Sequence, residues 1–283
     1  MREIKTIGVV GAGQMGSGIA QVAAVSGYSV LLFDAFPGVA GKAVERIQAS
    51  LSKLLGKGKL EQSAYDAASQ AFTVVDTLED VAKADLVVEA AVEKVELKKE
   101  IFAILDKAAA PDVILASNTS SISLTEIASA TGRADKVIGM HFFNPAPVMK
   151  LLEVVKGYST SQETIDTVMA VGERMGKVTV LAVDKAGFIV NRILDPMLNE
   201  AIFLLEEGVG TAEDIDNGMK FGCNHPMGPL ALADLIGLDV LLAVMEVLYR
   251  EYSDSKYRPA PLLKKMVRAG KLGKKTGEGF FKY

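Results

Sequence analysis

Ile4-Lys5-Thr6-Ile7-Gly8-Val9-Val10, followed at once by Gly11-Ala12-Gly13-Gln14-Met15-Gly16, is the stretch that decides the fold. Residues 4–10 are apolar and β-branched, with the length of a buried strand, and residues 13–27 read as a helix. A G-x-G-x-x-G alone is weak evidence. Between a strand and a helix it is a turn whose glycines let the backbone approach a pyrophosphate, which the helix N-terminus then stabilises. Gly11, Gly13 and Gly16, with Gln14 and Met15 between them, are the candidate phosphate turn. A second strand over 29–33 leads into Asp34, placed to hydrogen-bond an adenosine ribose. A 2′-phosphate beside Asp34 would be a like-charge contact costing about 1–4 kcal/mol at ~4 Å. Ala35 and Phe36 come next, so no basic residue follows to receive it. NAD is therefore expected over NADP.

Outward from that unit, strands and helices alternate. Further strands are expected over 72–75, 86–89, 113–116 and 137–140, with a helix over 95–109 among the segments between them. This βαβ pattern argues for a mostly parallel sheet with helices on both faces, a Rossmann-type α/β domain over 1–184. Helices over 38–55 and 61–71 form a pair longer than a crossover requires and read as an insertion, 38–71. From about residue 185 helices are expected over 188–207, 211–221, 229–252 and 261–269, a smaller all-helical domain over 185–283. The tail 273–279 reads as loop.

The length of 283 residues allows two domains, and 49% hydrophobic with 23% charged residues is the composition of a globular protein with a core. A net charge of −4, with scattered Lys and Arg, gives no footprint for nucleic acid or anionic lipid. No uncharged span suits a membrane helix, and no signal-peptide core precedes the first strand. Cys223 is the single cysteine, expected to be buried, so no intrachain disulfide forms. The chain is expected to be cytoplasmic. No metal enters this reading.

His141 is one of two histidines and falls at the carboxyl end of the strand expected over 137–140. A second strand-like run over 150–155 follows a Pro-containing turn and can bring Glu153 back beside it. An imidazole with a carboxylate partner is the simplest proton-transfer device near neutral pH. A core histidine satisfying one hydrogen bond would leave the same trace.

The motifs G-A-G-Q-M-G-S-G-I-A at 11–20, A-S-N-T-S-S at 116–121, G-M-H-F-F-N-P at 139–145, G-F-I-V-N-R at 187–192, H-P-M-G-P-L at 225–230 and G-K-K-T-G-E-G-F-F at 273–281 follow in order. Together they resemble the 3-hydroxyacyl-CoA dehydrogenases, most closely the bacterial short-chain 3-hydroxybutyryl-CoA group, over nearly the whole chain. The resemblance implies that (S)-3-hydroxybutyryl-CoA and acetoacetyl-CoA are interconverted with NAD(H). His141 would be the general base or acid and Glu153 its orienting partner. Ser120 and Asn191 would bond substrate oxygens, with Ser120 also among the cofactor and acyl-CoA contacts, in a cleft between the domains. Glu93, Lys98, Asn144 and Lys275 would contact or support the nicotinamide half. Lys53 and Lys57, four apart on the inserted pair, would bind the nucleotide phosphates of coenzyme A. A homodimer through the helical domain is implied as well. A dehydrogenase of free hydroxy acids with this layout would rely on a catalytic lysine instead. A relic that only binds nucleotide would have no use for an intact Ser120/His141/Glu153/Asn191 set.

Overall fold

The computed structural model describes residues 3–283. The chain divides into two compact units, one ending at Lys185 and one spanning Ala186–Tyr283.

In the first unit β1 (Thr6–Val10), α1 (Gln14–Val25) and β2 (Ser29–Phe33) come first, then the pair α2 (Val39–Gly56) and α3 (Gln62–Ser69). β3 (Phe72–Val74), α4 (Leu78–Val81), β4 (Leu86–Glu89), α5 (Val95–Ala108), β5 (Ile114–Ser117) and α6 (Leu124–Ala128) continue the alternation. β6 (Val137–Phe142), β7 (Leu151–Lys156), α7 (Gln162–Arg174) and β8 (Val178–Val183) complete the unit. The sheet runs β3-β2-β1-β4-β5-β6-β7-β8. Every neighbouring pair is parallel except β6 and β7, which are antiparallel. The order reverses direction at β1 and β4, and ligands of open α/β sheets bind beyond the carboxyl ends of strands at such a point. Ile7 and Val9 of β1 and Val30 and Leu32 of β2 are fully buried against Ile19 and Ala23 of α1.

The α/β expectation holds, with local differences. β1 starts at Thr6 rather than residue 4, because its ladder to β2 begins with Thr6 opposite Ser29. β6 runs on through Phe142, which pairs with Leu152, so His141 lies inside the strand. β8 is a strand that the sequence pattern does not announce. Val178-Thr179-Val180-Leu181-Ala182-Val183 is apolar on both faces, lies at the sheet edge, and joins β7 only after the α7 crossover.

The second unit consists of α8 (Val190–Glu206), α9 (Ala212–Gly222), α10 (Pro229–Ile236), α11 (Leu238–Tyr252) and α12 (Pro261–Arg268). The helix expected over 229–252 is two helices. Gly237 separates them at φ 104°, a conformation that an L side chain rarely adopts. Leu198, Ile202, Leu230, Leu241, Met245 and Leu263 form the core. Two buried acids differ in how they are satisfied. Asp234 accepts the N–H groups of Phe280 (3.0 Å) and Phe281 (2.9 Å) and the hydroxyl of Tyr283 (3.1 Å). Asp195 sits on the buried stripe of α8, 4% exposed, and its Oδ2 has no hydrogen-bond partner among the described residues. Cys223 is exposed, contrary to expectation, since it lies just past the end of α9.

Burial alone pushes the Asp195 carboxyl from 3.8 up to about 7. Folding therefore favours the protonated acid, and ionisation works against the folded state. Its penalty is absent below about pH 4, grows as pH rises, and levels off above about pH 7 at about 4 kcal/mol. Asp195→Asn should thus gain in stability over the parent by a few kcal/mol more at pH 8 than at pH 4. Denaturant unfolding at the two pH values checks this; an increment that does not change with pH would contradict it.

Candidate active site

The phosphate turn is built as its glycines require. Gly11 has φ 95°, and a Cβ on Gly16 would lie 1.7 Å from the Gly11 carbonyl oxygen, so α1 can pack on the turn only as glycine. A Cβ on Gly13 would meet nothing within 4 Å, so the turn faces open space. No side chain caps the first N–H groups of α1 and no acid stands in its first turn, which leaves the positive end of the helix for an anion. Asp34 Oδ2 accepts the Ala12 N–H at 2.8 Å and Oδ1 the Phe36 N–H at 3.0 Å. These bonds fix the carboxylate at the end of β2, beside the turn. Gln14 is exposed and its Nε2 donates to Asn144 Oδ1 at 3.0 Å. Met15 is half-buried against the core.

The next two strands end in a charge network. Glu89, the last residue of β4, is fully buried. Lys98 of α5, 1% exposed, donates to Glu89 Oε1 at 2.7 Å; Ser117 at the end of β5 donates to Oε2 at 2.6 Å; and the Ala91 N–H donates to Oε1 at 2.6 Å. The same ammonium lies 3.2 Å from Glu93. Glu93 Oε1 in turn accepts the Thr119 hydroxyl (2.5 Å) and the N–H groups of Ser120 (2.9 Å) and Ser121 (3.2 Å). Partial burial opposes the charge on Glu93. Lys98 and the donors from Thr119 and Ser120 outweigh it and hold the carboxyl below its ordinary range. Lys98, which could have passed for a solvated charge, is thus a buried cation between two acids. The loop carrying Ser120 hangs on Glu93.

His141 stands directly opposite Glu153 in the antiparallel β6–β7 register. Nδ1 lies 2.7 Å from Glu153 Oε2, with the His141 side chain 7% exposed and the Glu153 side chain fully buried. The carboxylate can only accept, so Nδ1 carries the hydrogen of this bond. The Phe142 N–H donates to Asn118 Oδ1 at 2.9 Å, tying β6 to the serine loop.

Other predicted residues lie elsewhere. Lys53 is in the last turn of α2, while Lys57 is the residue after its end, and both are exposed. The Lys57 N–H still donates to the Lys53 carbonyl at 3.2 Å, so the last turn is nearly completed. In the helical unit Asn191 is the second residue of α8 and half-buried. Lys275 pairs with Asp239 at 2.5 Å. Glu89 and Ser117 escaped the sequence reading. The available signal was an acid closing the apolar strand Leu86-Val87-Val88-Glu89, and a lysine on the buried stripe shared with Ile101, Phe102 and Leu105.

Residues 6–185 match the family described as 3-hydroxyacyl-CoA dehydrogenase, NAD binding domain, and residues 187–283 match its C-terminal domain. The chain belongs to the 3-hydroxyacyl-CoA dehydrogenase family. It is 52% identical over 281 residues to a Bacillus subtilis protein named "Probable 3-hydroxybutyryl-CoA dehydrogenase", covering 99% of this chain and 98% of that one. A Clostridioides difficile 3-hydroxybutyryl-CoA dehydrogenase is 50% identical over 277 residues, covering 98% and 99%. The crystal structure of (S)-3-hydroxybutyryl-CoA dehydrogenase from Ralstonia eutropha superposes with a TM-score of 0.96 at 49% identity, covering 99% of each chain. The first unit is the family's NAD-binding domain, and the open turn, the uncapped helix and the fixed Asp34 carboxylate fit that cofactor.

Removing one partner of the buried pair should expose the worth of the network. Lys98→Met leaves Glu89 uncompensated and should cost about 3–5 kcal/mol. Adding Glu89→Gln should recover part of that, because it removes the unpaired charge while the amide oxygen accepts the Ala91 N–H and the NH2 group donates to the Ser117 hydroxyl oxygen. Urea unfolding of the single and double variants measures both, and a loss under about 1 kcal/mol for Lys98→Met would mean that water already screens the pair.

Proposed function

We propose that this protein interconverts (S)-3-hydroxybutyryl-CoA and acetoacetyl-CoA, with His141 as the proton-transfer group. The observation that carries the reading is the buried 2.7 Å contact between His141 Nδ1 and Glu153. NAD+ supplies the hydride acceptor in one direction, and NADH the donor in the other. With Nδ1 turned to Glu153, Nε2 exchanges the proton of the 3-hydroxyl. Glu153 orients the ring and balances the imidazolium once the proton arrives. Ser120, held through its N–H by Glu93, presents a hydroxyl for the substrate oxygens, and Asn191 presents a carboxamide. Glu93, Lys98, Asn144 and Lys275 contact or support the nicotinamide half. Gly11, Gly13, Gln14, Met15, Gly16 and Asp34 hold the rest of the dinucleotide. Lys53 and Lys57 meet the coenzyme A phosphates, a role suited to two exposed ammonium groups one turn apart.

In this reading residues 1–184 bind the nucleotide, and residues 185–283 bind substrate and form a homodimer. Large apolar side chains exposed on the helical unit support the dimer: Phe221 is 81% exposed, Ile193 69% and Val209 67%. Burial of such residues against a second copy removes apolar surface from water. Among the described residues no helix is long and apolar enough to cross a membrane. A cytoplasmic, reducing compartment suits the exposed thiol of Cys223.

The test is NADH consumption with acetoacetyl-CoA, run beside NADPH and beside free acetoacetate. Turnover is expected with NADH and the thioester. Preference for NADPH would defeat the Asp34 argument, and equal rates with free acetoacetate would defeat the role of Lys53 and Lys57. His141→Ala should lower kcat by about 10²–10⁴-fold while NADH still binds. Lys53→Ala/Lys57→Ala should raise KM for the thioester about tenfold and spare kcat, as loss of a contact made equally in ground and transition states does.

A further inference from the structure

The connection between β6 and β7 covers residues 143–150 and includes Pro145 and Pro147. Each proline removes a backbone donor, so the segment has more carbonyls than its own N–H groups can satisfy. The Pro145 carbonyl takes two of the remaining donors, from Val148 (2.9 Å) and Met149 (3.0 Å). The carbonyls of Ala146 and Met149 are served from outside. Lys177 Nζ donates to the first at 2.5 Å and to the second at 2.7 Å.

Lys177 is 9% exposed, and no carboxylate pairs with it among the described residues. Burial pushes its pKa down. A buried ammonium facing only carbonyls is an expensive arrangement unless it holds something in place. Its own position is set by the end of α7, where its N–H donates to the Gly172 carbonyl at 3.0 Å. The next residue, Val178, donates to the Lys150 carbonyl at 2.8 Å, closing the far end of the connection. The connection also rests on α1. A Cβ on Gly18 would lie 3.1 Å from the Ala146 Cβ and 3.2 Å from the Pro147 ring. At its near end Asn144 receives the Gln14 bond described above.

We propose that Lys177 is a positioning residue for the cofactor: by gripping the Ala146 and Met149 carbonyls it holds the β6–β7 connection in its place against α1 and so keeps Asn144 beside Gln14. This rests on the reading of Asn144 as a residue that meets the nicotinamide half. Lys177 touches neither cofactor nor substrate in this role and acts through Asn144 alone.

The experiment is a double-mutant cycle on NADH affinity, read by the fluorescence of bound NADH in the full-length protein. Lys177→Met should raise the Kd for NADH about tenfold, the scale of losing two charge-assisted hydrogen bonds at one remove. In an Asn144→Ala background the same substitution should change Kd by less than about twofold, because the residue it acts through is gone. KM for acetoacetyl-CoA should stay within about twofold of the parent. An unchanged Kd in folded Lys177→Met, or effects of the two substitutions that simply add, would overturn the proposal. If Lys177→Met does not fold, Lys177→Gln takes its place under the same criteria, since its shorter amide cannot bridge both carbonyls. His141→Ala keeps the two ideas apart. Turnover surviving in it would remove the proposed base while leaving the Lys177 cycle intact.

Discussion

A single buried ammonium, that of Lys98, ties together the loops on which the candidate chemistry depends. Glu89 ends β4, Ser117 ends β5, and Glu93 begins the approach to α5; each reaches Lys98 or its carboxylate partner. A buried charge is tolerable only when fully partnered, so the three segments are held to one geometry by the cost of any other. Glu93 transmits that geometry to the backbone of Ser120 and Ser121. The network has two carboxylates to one ammonium. Its remaining negative charge is met by hydroxyl and N–H donors rather than by a second cation.

The sheet explains why these parts meet. β1, β4, β5 and β6 are consecutive neighbours and parallel, so the phosphate turn, Glu89, Ser117 and His141 all lie toward their carboxyl ends. The antiparallel return of β7 adds what a parallel neighbour could not provide with so short a link. It sets Glu153 opposite His141 after an eight-residue connection, 143–150, where a parallel strand needs a crossover of a dozen residues or more. A slip of one residue in that register would turn Glu153 to the other face of the sheet and leave His141 without it.

Much of this was legible in the chain because it is local. The strand–turn–helix at 4–16, the acid after the second strand and the histidine and glutamate flanking a proline turn are short-range patterns with one economical interpretation. What escaped depends on distance. β8 is specified by its place beside β7, not by alternation. The break at Gly237 is a backbone angle hidden inside an apolar run that would suit one long helix. The spacing of Lys98 with Ile101, Phe102 and Leu105 marks its burial, but the identity of its partner, Glu89 at the end of β4, is set by how α5 packs on the sheet. Lys275 belongs to a family-like motif at 273–281, yet its pairing with Asp239 in the first turn of α11 joins stretches far apart in the chain.

Asp234 joins two distant stretches of the helical unit. Its carboxylate is fully buried, and the groups that satisfy it, the N–H of Phe280, the N–H of Phe281 and the hydroxyl of Tyr283, lie more than forty residues further along the chain. Exposed, that carboxylate would be satisfied by water; buried, it needs donors from the protein. The helical unit closes around it only where residues 280–283 pack on α10. Burial of α10 and docking of that segment are therefore one event: parting them either returns the carboxylate to water or leaves it buried without donors.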